Sequence, residues 1–223
     1  LVIIPGLLIA RQPDLGTSLL VIAAGLMVAF LSGIPFGYLF SLIILCIPSS
    51  LLLWKFMKDY QRQRVLTLIN PDTDPLGAGY NIIQSKIAMG SGGIFGKGWT
   101  NGSQVQLEFL PEKNTDFIFA VVGEEFGLLG VLTILTLYIL IIGRGLYIAS
   151  HASDLYGRLL AGSISLTFFV YVFVNTAMVI GLMPIVGIPL PLISYGGTSM
   201  VTLMIGFGML MSINSNRKLV AKK

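Results

Sequence analysis

Three carboxylates recur every four residues near the middle of the chain: Glu108, Glu112 and Asp116, within Gln106-Leu-Glu-Phe-Leu-Pro-Glu-Lys-Asn-Thr-Asp-Phe-Ile-Phe-Ala120. Carboxylates so grouped can take up a proton, hold a cation or merely solvate a loop. Asp116 stands directly before an apolar run, where Thr115-Asp116 also suits the first turn of a helix, whose free N–H groups such side chains cap. The two roles pull in opposite directions. A helix N-terminus stabilises the charged form and lowers the pKa, whereas a general base works best with a raised one. Glu108 and Glu112 read equally well as a solvated surface. Glu124 and Glu125 follow inside the apolar run. A carboxylate in a membrane span costs about 2.5–3.5 kcal/mol on insertion scales, so it turns to a polar interior or a partner. At 100° per residue, Glu124 stands about 80° from Asp116 and Glu125 on the opposite face, both roughly 12–14 Å deeper. The pair reads as a buried network, separate from Asp116.

Cations and glycines supply the other candidate contacts. Gly90-Ser-Gly-Gly-Ile-Phe-Gly-Lys-Gly98 fails as a Walker motif, having Ser91 where the first Gly is needed and Gly98 where Ser or Thr should follow Lys97. Its backbone N–H groups could still cradle an anion, with Lys97 adding charge, or form a turn-rich loop and nothing more. Arg62 and Arg64, in Tyr60-Gln-Arg-Gln-Arg64, offer guanidiniums suited to phosphate oxygens. Lys113 lies among the carboxylates. Pro189-Leu-Pro-Leu-Ile-Ser-Tyr-Gly-Gly197 implies broken helix geometry, tolerated at membrane depth only where it is buried or lines a cavity. His151 and Cys46 are the single residues of their types, so no His/Cys metal cluster can form and the metal ligands are unassigned.

These groups need a scaffold, and composition names it. Of 223 residues, 55% are hydrophobic and only 11% charged, against about a quarter charged in soluble domains. Mean hydropathy is +0.87. Apolar runs of about 18 residues or more read as membrane helices. Five complete spans are expected, over 15–33, 36–54, 117–143, 159–183 and 192–213, after a stub over 1–10. The expected class is all-α: a polytopic transmembrane helical bundle with a long, partly helical extracytoplasmic loop. Three segments follow. Residues 1–54 hold membrane helices, the first truncated; 55–115 form the large outer loop; 116–223 hold three membrane helices and a cytoplasmic tail. The start at Leu1 reads as a piece whose preceding spans are missing. The connection 144–158 and the tail with Arg217, Lys218, Lys222 and Lys223 are basic and lie on one side, which the positive-inside rule places in the cytoplasm. The net charge of +4 is thereby absorbed, and no nucleic-acid footprint remains.

Read together, several stretches resemble the SEDS family (shape, elongation, division and sporulation proteins), its RodA branch more closely than its FtsW branch. They are Gln12-Pro-Asp-Leu-Gly-Thr17, Asp59-Tyr-Gln-Arg-Gln-Arg64, Asp74-Pro-Leu-Gly-Ala-Gly-Tyr80, Ile83-Gln-Ser-Lys-Ile-Ala-Met-Gly-Ser-Gly-Gly93, residues 107–120 and residues 189–197. The resemblance implies a larger bundle of which this chain supplies roughly the second half, in the bacterial cytoplasmic (inner) membrane. It implies a peptidoglycan glycosyltransferase acting at the periplasmic face on lipid II and the nascent glycan chain, releasing undecaprenyl pyrophosphate. It makes Asp116 the catalytic carboxylate, with Glu108 in the same loop; Glu112 and Glu125 are candidate supporting residues. Candidate substrate contacts are Arg62, Arg64, Gln84, Lys86, Lys97, Lys113, Ser194 and Tyr195. A divalent cation, magnesium or manganese, is an alternative carrier of positive charge; no organic cofactor is implied. The implied partners are a class B penicillin-binding protein (a transpeptidase) and other membrane proteins of the elongation complex. A lipid II flippase is the competing class, for which intramembrane Glu124 and Glu125 would be suited.

Overall fold

The computed structural model describes residues 2–12, 15–35, 37–38, 41, 57, 59–75 and 77–215. Apart from residues 37–38 and 41, the expected span over 36–54 lies outside the described residues, as do the four cations of the tail. Within them the chain is helical: α1 (Ile3–Arg11), α2 (Leu15–Leu31), α3 (Asp59–Ile69), a 3-10 turn (Pro71–Thr73), α4 (Ala78–Ser91), α5 (Ser103–Gln106), α6 (Ile118–Ser150), α7 (Leu155–Val179) and α8 (Gly197–Ser215). The all-α expectation holds. Helices α6, α7 and α8 are each long and apolar enough to cross a membrane, and α2 is a shorter apolar helix.

Local chemistry sets the helix limits. Asp154 starts α7 by accepting the Gly157 N–H at 2.8 Å, as an N-cap residue does. Helix α8 begins at Gly197 rather than at 192, because Pro189 and Pro191 lack N–H donors and restrict the residues before them. Leu192 there holds φ +67. The turn stays open, as the paired prolines require.

Helix α6 is interrupted at Gly127, with φ 64 and ψ −158, a conformation essentially confined to glycine. The interruption orphans donors and acceptors, and the glycine-rich stretch supplies their partners. Leu128 N–H donates to Gly93 O at 2.9 Å and Leu129 N–H to Ile94 O at 3.2 Å. Lys97 N–H and Gly98 N–H donate to Glu124 O and Glu125 O at 3.0 and 2.9 Å. This close approach needs the missing side chain at Gly96, where a Cβ would stand 2.1 Å from Glu125 O. The remaining stretch, residues 128–150, runs about 34 Å at about 1.5 Å per residue, enough for a hydrocarbon core of about 30 Å.

One apolar core joins the loop to the bundle. Ala88 of α4, Leu110 and Phe117 of the loop, Phe119, Val131 and Tyr138 of α6, Phe168, Val172 and Met178 of α7, and Leu190 are buried together. Ser85 Oγ adds a bond to Val179 O at 2.9 Å, docking α4 on the end of α7. The long loop is therefore a folded cap on the helices.

Candidate functional site

Leu110 and Phe117, each 1% exposed, anchor the turn that carries the carboxylates. Between them the chain doubles back. Thr115 N–H and Phe117 N–H both donate to Glu112 O, at 3.1 and 3.3 Å. Glu108 and Glu112 hold positive φ, +57 and +52, a conformation uncommon for residues other than glycine and costing roughly 1–2 kcal/mol each. Strain of this kind gathers at ligand-binding and catalytic turns.

A second segment, residues 184–196, is laced to this turn. Ser194 Oγ donates to Thr115 O and accepts from Leu190 N–H. Tyr195 N–H donates to Asn114 O at 2.9 Å. Asn175 Nδ2 reaches Asp116 O at 2.9 Å and Ile188 O at 2.7 Å, and Tyr138 OH donates to Pro191 O at 2.6 Å. An open cleft of about 930 Å³ lies between the two segments, lined by residues 108 and 110–116 on one side and Gly187, Pro189 and Tyr195 on the other. That volume suits a small-molecule site.

Asp116 sits in this cleft, 9% exposed. A Cβ on Gly187 would lie 3.5 Å from Asp116 Oδ2, so the glycine leaves the carboxyl uncrowded. Burial pushes its pKa up to about 6, and the charge and shared hydrogen bond of Glu112 add to the rise. Capping is not its role: the N-cap of α6 is Phe117, and no side chain caps it. The expected lowering by the helix is thus reversed, because burial and the neighbouring Glu112 both disfavour the charged form. A carboxyl titrating near 6 is charged at neutral pH and close enough in pKa to exchange protons, the condition for a general base.

Lys113 is the cation of the cleft. Its Nζ donates to Val105 O at 2.9 Å and lies 4.0 Å from exposed Glu108. Of the other candidates, Tyr195 is exposed in the wall and Ser194 is buried behind it, holding Thr115. Arg62 and Arg64 are on α3, Gln84 and Lys86 on α4, and none of them lines the cleft. Lys86 lies against Gly181, just beyond the C-terminus of α7, where a cation is favoured. Lys97 pairs with Glu124 at 2.7 Å, and the N–H groups of Lys97 and Gly98 go to the break in α6 rather than to an anion. Glu124 and Glu125 form a buried network, as their place in the sequence suggests, and neither lines the cleft. Glu124 accepts from Lys97 Nζ, Ser103 Oγ and Gln104 N–H, and Glu125 accepts from Thr100 N–H. The loop folds over both, a contact no helical wheel can show.

Among the described residues no group of three or more His, Cys, Asp or Glu comes together as a metal cage. The Asp116–Glu112 pair has the one-or-two-carboxylate chemistry that magnesium uses when substrate phosphates and water complete its shell.

Sequence reasoning missed Asn175, Gly187 and Tyr138 as parts of the site. Asn175 carried a usable signal: an amide inside an apolar helix needs a buried partner, and it is wholly buried here. Gly187 and Tyr138 had none.

A family model of cell cycle proteins, of the FtsW, RodA and SpoVE kind, matches residues 1–219. The peptidoglycan glycosyltransferase MrdB of Escherichia coli K12 is 57% identical over 223 residues, all of this chain and 60% of that protein. The peptidoglycan glycosyltransferase RodA of Treponema pallidum is 46% identical over 180 residues, 81% of this chain and 42% of that protein. A chain from a peptidoglycan synthase complex, described as coordinating polymerization and crosslinking, superposes with a TM-score of 0.76 at 36% identity, covering 96% of this chain and 59% of that one. The chain thus spans about 60% of the length of the MrdB relative.

Proposed function

The chain belongs to the FtsW, RodA and SpoVE family of cell cycle proteins, a multi-pass membrane family, and on that premise we propose that it carries the catalytic cleft of a peptidoglycan glycosyltransferase. Asp116, buried in an open cleft and raised to about 6, is the observation that carries the reading. The RodA branch is preferred to FtsW because relatives at 57% and 46% identity are a MrdB and a RodA glycosyltransferase.

The donor is lipid II, an α-linked pyrophosphate, and the polymer is β-linked, so the configuration at the sugar carbon inverts. Inversion requires a base on one side of the sugar and stabilisation of the leaving group on the other, by analogy with inverting glycosidases. Asp116 takes the proton of the acceptor 4-hydroxyl. The new carbon–oxygen bond forms as the bond to pyrophosphate breaks, and undecaprenyl pyrophosphate leaves with the bonding electrons. It is a good leaving group and needs no general acid. Lys113, which lines the same cleft, offsets the charge of the leaving pyrophosphate. Magnesium or manganese held by Glu112 and the substrate phosphates would supply the same neutralisation and leave Asp116 free as the base.

Orientation follows the positive-inside rule: the 144–158 connection and the C-terminus are cytoplasmic, and the cleft opens to the periplasm. A class B penicillin-binding protein is the proposed partner, supported by the likeness to a chain of a synthase complex. The flippase alternative drew on intramembrane carboxylates, and it loses that support with Glu124 and Glu125 bound by the loop.

The test is polymerisation of purified lipid II by the full-length protein with its transpeptidase partner chemically blocked. Glycan strands should form. Movement of lipid II across vesicle membranes without polymer would replace this reading with the transporter.

A further inference from the structure

Glu124 is fully buried, yet the proposed chemistry does not use it. Three donors converge on its Oε1: Lys97 Nζ at 2.7 Å, Gln104 N–H at 3.0 Å and Ser103 Oγ at 3.2 Å. Its other oxygen is buried without a partner, so the lysine charge is what makes the burial tolerable. Lys97 Nζ also donates to Ser103 Oγ at 2.8 Å.

The side-chain pair is not required to close the break in α6. Four backbone bonds already do that, Lys97 and Gly98 to Glu124 and Glu125, and Leu128 and Leu129 to Gly93 and Ile94. The side chains are directed elsewhere, to the first turn of α5. That helix has four residues and buries none of them, so polar contacts weigh heavily in locating it. One of its other contacts leads to the cleft, where Val105 O accepts Lys113 Nζ at 2.9 Å; Gln104 O accepts Phe109 N–H at 3.1 Å and Gln106 Nε2 donates to Thr100 O at 2.8 Å.

We infer that the Lys97–Glu124 pair is a positioning device that fixes α5 and, through Val105 O, sets where the Lys113 ammonium stands in the cleft. The inference rests on the transferase reading of that cleft. Lys113 then meets the donor pyrophosphate in a place dictated by a residue outside the cleft. Loss of the pair misplaces the cation while leaving Asp116 where Asn175 holds its carbonyl, so donor binding weakens and the proton transfer is spared.

The experiment uses the full-length protein in nanodiscs with lipid II, comparing Glu124→Gln, Lys97→Met, Lys97→Arg, Lys113→Met and the double variant Glu124→Gln/Lys113→Met. Glu124→Gln and Lys97→Met should raise KM about tenfold with kcat within about twofold, and Lys97→Arg should restore KM. The double variant should be no more than about twofold worse than Lys113→Met, since a misplaced lysine has little left to lose. Hydrogen exchange should show the Gln104 amide opening faster in Glu124→Gln while amides of α7 are unchanged. Should Glu124→Gln fail to fold, Ser103→Ala carries the same comparison with a smaller rise in KM. Multiplicative losses in the double variant, or a fall in kcat at constant KM, overturn the inference while leaving the transferase standing. A wild-type protein that makes no polymer removes the transferase reading and this inference with it.

Discussion

The side-chain amide of Asn175 spends both its hydrogens across the cleft, one on Asp116 O at 2.9 Å and one on Ile188 O at 2.7 Å. A single residue of α7 thereby fixes the backbone of the proposed base and that of the opposite wall. Neither carbonyl has water to fall back on at a wholly buried amide, and a buried acceptor left unpaired costs about 1–3 kcal/mol.

Asn175→Ala should therefore lower both the polymerisation rate, by roughly tenfold or more, and the melting temperature, by several degrees. Asn175→Asp should do no better, because an ionised carboxylate cannot donate to two carbonyls. Normal polymerisation by Asn175→Asp would show that the bridge has no part in holding the site.

The pH dependence follows from Asp116. Below its folded pKa of about 6 the carboxyl is protonated and cannot accept a proton, so activity should rise with pH along a limb centred near 6. Glu112 adds to that elevation through its charge and its hydrogen bond. In Glu112→Gln the limb should move to lower pH, read from kcat/KM profiles between about pH 4.5 and 8. An unmoved limb would mean that a different group controls it.

Stability should respond in the opposite sense. Asp116 titrates near 6 when folded and near 3.8 when unfolded. Its contribution to stability is fully present below the unfolded value and lost as pH rises through the folded one. At pH 8 the buried charge is a net burden of up to about 3 kcal/mol by linkage. Asp116→Asn should raise the melting temperature at pH 8 and leave it unchanged near pH 4. A lower melting temperature at pH 8 would contradict the burial argument.

Gly127 tests the union of loop and helix. A Cβ there would stand 2.4 Å from Gly96 N, in a backbone region where side chains are strained. Gly127→Ala should cost about 2 kcal/mol or more and open the amides of Leu128 and Leu129 to hydrogen exchange. Unchanged protection of those two amides would show that the glycine-rich stretch does not serve the break.

Much of the scaffold was legible in the sequence, because membrane spans announce themselves in long apolar runs. Helices α2, α6 and α7 fall on expected runs, shifted at their ends where caps and prolines decide the limits. The carboxylate turn was legible as chemistry, and only the family resemblance separated a base from a cap at Asp116. The contacts that bring distant segments together were not legible. Lys97 looked like an anion ligand because nothing local shows that Glu124 is buried beside it. Arg62, Arg64, Gln84 and Lys86 stand in polar motifs of their own, and α3 and α4 place them outside the lining. Ser194 looked like a substrate contact, and its hydroxyl is committed to Thr115 O and Leu190 N–H. In each case tertiary packing assigned a polar group that its neighbours in sequence left open.

The most direct measurement is single-turnover glycan polymerisation from lipid II by the full-length protein with its transpeptidase partner, comparing wild type with Asp116→Asn. The substitution keeps the shape of the side chain and removes its basicity. Loss of a general base predicts a fall in rate of about 10²–10⁴-fold, with lipid II binding and the complex with the partner retained. Polymerisation by Asp116→Asn at the wild-type rate would contradict the assignment of Asp116 as the base.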